Sequence, residues 1–412
     1  MFLNSFKSIW FLVAITILVL VFLVYLAYQK AWYDHLAVDF GFYYYVAFGF
    51  FQNLSFGIIP ENSYFPGSLF FFLIPAISFL FTNYSWPSFI LSFIIVNIIL
   101  ILIHLIIYYK QSIIAPYIFL AIIIFSGPLI LFRHELFPSL ILILSILFFR
   151  KNKINLAAFT LGLATSIKIF PSLILPYYLI LIFKSLEKRK ILNILIFFTT
   201  GIMLTFGVYF LLGSPPSEIL KSLSFNATKP VHIESLWASI LTLKGKIIDD
   251  IWILGKPDQN GIYGLDPNYV QQPIVFFNYL WILPMSLFYL YIYKKTGQLR
   301  MLKVEIIFLI ILLFIIFSKI ITPQYLFWFL PLFPLFDLTQ NKKLLILPFL
   351  IILLVVLFTQ YIYPLHYTEL LWNFYTNGTD TKYFYVLTIR NLLLILLFFA
   401  VFKLTFLRKS NT

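Results

Sequence analysis

Apolar and polar positions along this chain separate into blocks. Uncharged apolar runs extend from Ile9 to Tyr28, Phe89 to Tyr109, Ile113 to Phe132, Ile191 to Leu212 and Leu344 to Pro364. A similar run from Tyr383 to Phe402 carries one charge, Arg390. Each approaches the roughly 20 apolar residues that a helix needs to cross hydrocarbon. The pattern predicts an all-α integral membrane protein. The first run has one basic residue nearby, Lys7, an apolar core too long for a leader, and no small-residue cleavage site, so it is expected to be retained as the first span.

Two stretches break the rhythm. Pro66 to Phe81 is short for a full crossing. The mostly apolar region 154–183 is interrupted by Lys168 and Pro171, which predicts two short helices meeting at Lys168-Ile169-Phe170-Pro171. Irregular backbone at membrane depth is tolerated only where protein covers it or a cavity opens on it, so this break is a candidate site.

Basic clusters lie at 150–153, 184–190, 294–300, 342–343 and 408–409, where the positive-inside rule expects cytoplasmic loops. The stretches 133–138, 168–171, 213–272, 318–324 and 364–382 then fall outside, with 29–66 joining them if the N-terminus is inside. Sequons at Asn53, Asn83, Asn226 and Asn377 put three of four in those external loops, although short polar loops also generate sequons by chance.

Composition agrees. The chain of 412 residues is 62% hydrophobic and only 11% charged. A soluble domain carries about 25% charged residues. Neither a repeat nor a low-complexity tract appears, so residues 1–412 read as one polytopic domain with long external loops 29–66 and 213–272. The net charge of +14 falls between the apolar runs, where anionic headgroups rather than nucleic acid are the expected partner. Cysteine is absent, which removes disulfides, thiolate metal sites and cysteine nucleophiles. No Walker loop, dinucleotide glycine fingerprint, nucleophile elbow or HExxH helix is present, so a cytosolic nucleotide is not an expected substrate.

With fifteen acidic residues in the chain, each can be weighed. Asp34 and Asp39 follow the first span, and Asp39 opens the aromatic stretch Asp39 to Phe48, suited to an interfacial helix. A carboxylate near such a helix start is either a cap or an ionised general base. Lys168 is a cation in an apolar segment, where it either holds an anion such as phosphate or snorkels to the interface. Lys229 to Ser239 brings together a base, His232 and, across one intervening residue, Glu234, without zinc-ligand spacing. Arg133-His134-Glu135 is a compact charged step, and a solvated ion pair is its simplest reading.

Taken in order, these pieces resemble polyprenyl-phosphate-dependent glycosyltransferases of the GT-C fold, especially the family 87 mannosyltransferases and the related catalytic subunits of GPI mannosyltransferase I. The resemblance covers most of the chain. It is carried by Asp39 and its aromatic helix, Ser63-Tyr64-Phe65-Pro66, the step 133–135, Lys168-Ile169-Phe170-Pro171, His232 to Leu236, and Thr322 to Trp328. It implies a bundle of about 11–13 transmembrane helices with interfacial helices in the first external loop. It further implies that Asp39 is the general base for inverting transfer of a hexose, usually mannose, from a polyprenyl-phosphate sugar to a lipid-linked glycan or glycolipid at the external face of the cell membrane. No metal or other cofactor is implied. Lys168 matches the family lysine before proline, with Arg133 and Lys319 as further donor-phosphate contacts, and Tyr43, Tyr64, His232, Glu234, Gln324 and Tyr325 as candidate substrate contacts. A transporter or lipid flippase shares the many spans and basic lining, but repeat symmetry would be expected of it.

Overall fold

In hydrocarbon a backbone must satisfy its own polar groups, and helix is how one apolar run does so alone. The computed structural model describes residues 2–29, 33–57, 59, 64–185, 189–247, 274–295, 302–337, 343–371 and 382–406. Seventeen α-helices and no strand form among them. In chain order these are α1 (Phe2–Gln29), α2 (Tyr33–Asn53), α3 (Pro66–Ala76), α4 (Phe79–Thr82), α5 (Trp86–Gln111), α6 (Ala115–Ser126), α7 (Leu136–Arg150), α8 (Ile154–Ile167) and α9 (Leu175–Lys184). They continue with α10 (Arg189–Leu211), α11 (Ser217–Thr228), α12 (Leu236–Ile247), α13 (Ile274–Phe277), α14 (Ile282–Lys295), α15 (Val304–Phe317), α16 (Lys343–Ile362) and α17 (Lys382–Phe406).

Five of these, within α1, α5, α10, α16 and α17, are long and apolar enough to span a membrane. They coincide with five of the six long apolar runs, and the protein is a multi-pass membrane protein by that measure. The sixth run, Ile113 to Phe132, is not one long helix. Helix α6 stops after 12 residues, and a 3-10 turn over Gly127–Leu131 follows. Gly127 has φ +58, a backbone conformation that favours glycine. Pro128 supplies no amide hydrogen to continue the ladder. Helix α3 has only 11 residues, as its short run predicts. At the rise of an α-helix that is roughly 16 Å, about half the hydrocarbon thickness.

Helix α15 is apolar all round and nearly every residue in it is buried, as such a helix must be. Tyr108 of α5 donates to the Pro331 carbonyl at 2.5 Å, tying α5 to the proline-rich 3-10 turn Leu330–Leu335. Lipid offers little hydrophobic drive between helices, so close packing must hold them. Helices α8 and α10 meet at Gly162 and Gly201. A Cβ on Gly201 would lie 2.2 Å from the Phe159 carbonyl oxygen, and one on Gly162 would lie 2.0 Å from that of Phe198. Gly201→Ala is therefore expected to lower stability by about 1–3 kcal/mol, because backbone has to part to admit the methyl. Thermal unfolding in detergent checks this, and an unchanged midpoint would contradict it.

Several features of the sequence fall outside the described residues: Ser63, loop residues 248–272, cluster residues 186–188, 296–300, Lys342 and 408–409, the sequon at Asn377, and the side chains of Asp34 and Asn226.

Candidate functional site

Helix α2 begins at Tyr33, so Asp39 lies beyond the first turn, where the pull of the helix end has faded. The dipole argument for Asp39 is thereby corrected, and its positive partner is Arg133. Arg133 Nε lies 3.2 Å from Asp39 Oδ2, an ion pair rather than an aligned hydrogen bond. Arg133 Nη1 donates to the carbonyls of Leu36 at 2.5 Å and Phe132 at 3.0 Å, while Nη2 donates to the Tyr363 hydroxyl at 2.9 Å. Burial alone would pull this guanidinium down, but Asp39, Tyr363, Tyr43 and Tyr64 outweigh it and hold it above its ordinary value. Arg133 is 4% exposed and Asp39 27%, so the acid is reachable and its partner is not.

The second pair of the cluster is Glu135 and Lys168. Helix α8 ends at Ile167 and Lys168 is extended, with Pro171 inside the 3-10 turn Phe170–Ile174 that leads into α9. Two short helices thus meet at Lys168 as the break predicts. Lys168 Nζ sits 3.2 Å from Glu135 Oε1 and 5.2 Å from the centre of the Tyr64 ring, an inward placement that argues against snorkelling. Trp328 Nε1 donates to Glu135 Oε2 at 3.1 Å, and its indole stacks between Tyr325 at 3.9 Å and Phe170 at 4.6 Å. Gly67 lets α3 rest on the end of α8, since a Cβ there would lie 2.7 Å from the Ile167 side chain and 2.8 Å from the Ser166 carbonyl.

Beside these pairs opens a cavity of about 210 Å³ whose wall includes Tyr64, Lys168, Trp281, Lys319, Tyr325 and Trp328. Lys319 Nζ donates to the carbonyls of Ala227 at 2.7 Å and Lys229 at 2.6 Å. An ammonium has three hydrogens, so one is left for a ligand. Burial pulls this ammonium down to about 8. Among the described residues no carboxylate pairs with it. Asp39 is matched by Arg133 and Glu135 by Lys168, so Lys319 leaves the cavity with an excess of positive charge. Asp39 connects to this wall through Tyr43, whose hydroxyl lies 3.4 Å from Asp39 Oδ2 and 3.5 Å from the Tyr64 hydroxyl.

The sequence candidates therefore divide. Asp39, Tyr43, Tyr64, Arg133 and Lys168 form one polar cluster, and Lys168, Lys319, Tyr64 and Tyr325 share the cavity wall. Gln324 is half-buried beside Tyr325. Arg133 is placed against Asp39 rather than on the wall. His232 and Glu234 belong to a separate brace: the His232 amide donates to the Lys319 carbonyl at 3.0 Å, and Glu234 pairs with Arg390 of α17 at 3.3 Å. Burial pulls His232 down to about 3 and pushes Glu234 up to about 7 against the attraction of Arg390. Glu135, Trp328, Tyr363, Ser68 and Arg390 were not among the candidates. Arg390 was signalled as a lone charge in an apolar run, Glu135 by the charged step 133–135 and Trp328 by the stretch Thr322 to Trp328.

Among the described residues no three His, Asp or Glu side chains converge as a metal-binding group. Compared with protein-family models, with curated proteins and with solved structures, the chain matches none.

Proposed function

We propose that the protein is an inverting membrane glycosyltransferase that moves a hexose, mannose by resemblance, from a polyprenyl-phosphate sugar to a lipid-linked glycan or glycolipid at the external face of the cell membrane. The observation that carries this reading is one cavity with excess cationic wall, joined through Tyr64 and Tyr43 to a reachable carboxylate. A cation for the phosphate, an aromatic platform and a base are what such a transfer needs. The five long helices and six shorter apolar segments support a lipid-fed bundle of the GT-C type.

On this reading the acceptor hydroxyl gives its proton to Asp39 as its oxygen attacks the anomeric carbon. The bond from that carbon to the phosphate oxygen breaks, and the lipid monophosphate leaves with the electron pair. Lys168 and Lys319 stabilise its charge. Arg133 holds Asp39 in place through their ion pair. Tyr325, backed by Trp328, gives the cavity wall an aromatic surface on which a sugar ring can stack.

The test is sugar transfer from polyprenyl-phosphate mannose by purified protein in lipid nanodiscs. Lipid movement without product would overturn the reading. Lys168→Ala or Lys319→Ala is expected to raise the KM for donor about 10- to 100-fold, the loss of one charge-assisted contact. Because Lys319 is charged below about 8 and neutral above it, donor affinity should fall as pH rises through that value. In Lys319→Arg, which stays charged, that alkaline fall should vanish. An identical alkaline profile in both proteins would remove Lys319 from the phosphate site.

A further inference from the structure

Tyr43 occupies the centre of the polar cluster, and what surrounds it goes beyond holding Asp39 in place. Its ring is clamped between Phe72, with ring centres 4.2 Å apart, and Phe93, at 5.4 Å, both nearly parallel. Its oxygen is therefore fixed, and only its hydrogen can turn. That oxygen lies 3.4 Å from Asp39 Oδ2 and 3.5 Å from His134 Nδ1. On the far side of the imidazole, His134 Nε2 is 3.1 Å from Ser68 Oγ, and Ser68 Oγ donates its hydrogen to the Ile167 carbonyl at 2.7 Å.

This chain fixes a tautomer. Ser68 has one hydrogen and Ile167 receives it, so Ser68 Oγ can only accept from His134 Nε2–H. His134 Nδ1 is then the bare nitrogen, turned toward Tyr43. Burial, and next the positive charges of Lys168 and Arg133, hold His134 well below its ordinary value, so the ring stays neutral and Nδ1 stays an acceptor.

We propose that Tyr43 and His134 are positioning residues that let Asp39 change protonation state without any heavy atom moving. This rests on Asp39 being the base of the proposed transfer. While Asp39 is a carboxylate, Tyr43 donates to it. Once Asp39 has taken the acceptor's proton, the bond reverses: Asp39 O–H donates to Tyr43 Oη, and the Tyr43 hydrogen turns to His134 Nδ1. The Tyr64 hydroxyl can donate to Tyr43 Oη in both states. No proton is consumed, and the one on Asp39 leaves through its exposed face. With His134 Nδ1 as an acceptor, the Tyr43 hydrogen can leave Asp39 while Tyr43 Oη accepts from the new Asp39 O–H, which adds a hydrogen bond to the neutral acid.

The test reads the protonation of Asp39 directly, by infrared carboxyl difference spectra against Asp39→Asn across a pH series, in nanodiscs. The titratable and charged groups facing Asp39 are Arg133, Tyr43, Tyr64, Tyr325 and Tyr363, and none of them changes in the comparison that follows except Tyr43. His134→Gln removes the acceptor at Nδ1 and is expected to lower the proton affinity of Asp39 about tenfold, the worth of one hydrogen bond. His134→Asn, which returns an acceptor near that point, is expected to restore it. In a Tyr43→Phe background His134→Gln should shift nothing, because the imidazole reaches Asp39 only through Tyr43. Ser68→Ala, which frees the tautomer, serves in place of His134→Gln if that variant does not fold, with the same expected shift. No shift in the wild-type background, or the same shift with Phe at position 43, overturns the proposal. If the shifts appear and no sugar is transferred, it is the enzymatic reading that fails. If sugar is transferred and the shifts are absent, the relay alone fails.

Discussion

Asp39→Asn is expected to reduce sugar transfer about 10²- to 10⁴-fold, the usual contribution of a positioned general base. The change is isosteric, and the amide oxygen can still accept from Tyr43, so the geometry around Arg133 is retained while basicity is lost. Donor binding should change little, since the cations on the cavity wall are untouched. Initial rates at saturating donor, with gel-filtration and thermal unfolding as folding controls, make the comparison. A folded Asn variant within about twofold of the wild-type rate would remove Asp39 from the chemistry, since a base contributes far more than that. The alternative reading, a cap or a structural ion pair with Arg133, predicts that outcome together with a lowered unfolding temperature.

Arg390→Leu is expected to cost about 3–5 kcal/mol, the cost of breaking a buried charge pair from one side. Arg390 is fully buried. Its Nη2 donates to the Glu234 carbonyl at 2.6 Å, while Nη1 faces Glu234 Oε2 at 3.3 Å. Asn391 donates to the same carbonyl at 3.3 Å and to Ser239 at 2.9 Å, so α17 grips the segment that also carries Lys319's backbone contact with His232. Removing the guanidinium leaves the buried Glu234 carboxyl without its partner, and Arg390→Leu with Glu234→Leu together should recover most of the loss, since an apolar pair is tolerated there.

The pH dependence gives an independent check. Burial raises Glu234 from 4.5 to about 7 in the folded protein, so the fold binds a proton more readily than the unfolded chain between those values. Its contribution to stability is fully present below about 4.5 and is lost as pH rises through about 7. Without Arg390 the carboxyl climbs further, so the single variant should regain more stability on acidification than the wild type does. Unfolding titrations at several pH values measure this. A single variant destabilised by less than about 1 kcal/mol, or one that acid does not help, would rule out the pair as the brace.

The arrangement of helices along the chain was legible because each long apolar run can satisfy its backbone only as a helix. The runs at Ile9, Phe89, Ile191, Leu344 and Tyr383 became α1, α5, α10, α16 and α17 with ends shifted by a few residues. The break at Lys168 was legible for the same reason, since Pro171 and a charge cannot continue an apolar helix. The run from Ile113 misled because one glycine followed by proline stops a helix without altering its hydropathy. Asp39 was expected near a helix start, but helix α2 begins before the aromatic stretch, and the positive neighbour of Asp39 is Arg133, which packing and not local pattern supplies.

Local pattern alone carries the chemistry that travels with it: a multi-pass helical membrane protein, a helix break bearing a lysine, and a short roster of charges too costly to be idle in an apolar chain. Which charge answers which is a matter of packing. Arg390 and Glu234 are 156 positions apart, and nothing in either neighbourhood specifies the other. The contact of α8 with α10 through Gly162 and Gly201, and the fit of α3 through Gly67 onto the end of α8, fix how close the helices come. Those distances place Tyr43 between Asp39 and His134 and gather Lys168 and Lys319 on one cavity wall. Charge pairs act over a few ångströms, and the close fit of side chains, not their spacing along the chain, sets distances of that order.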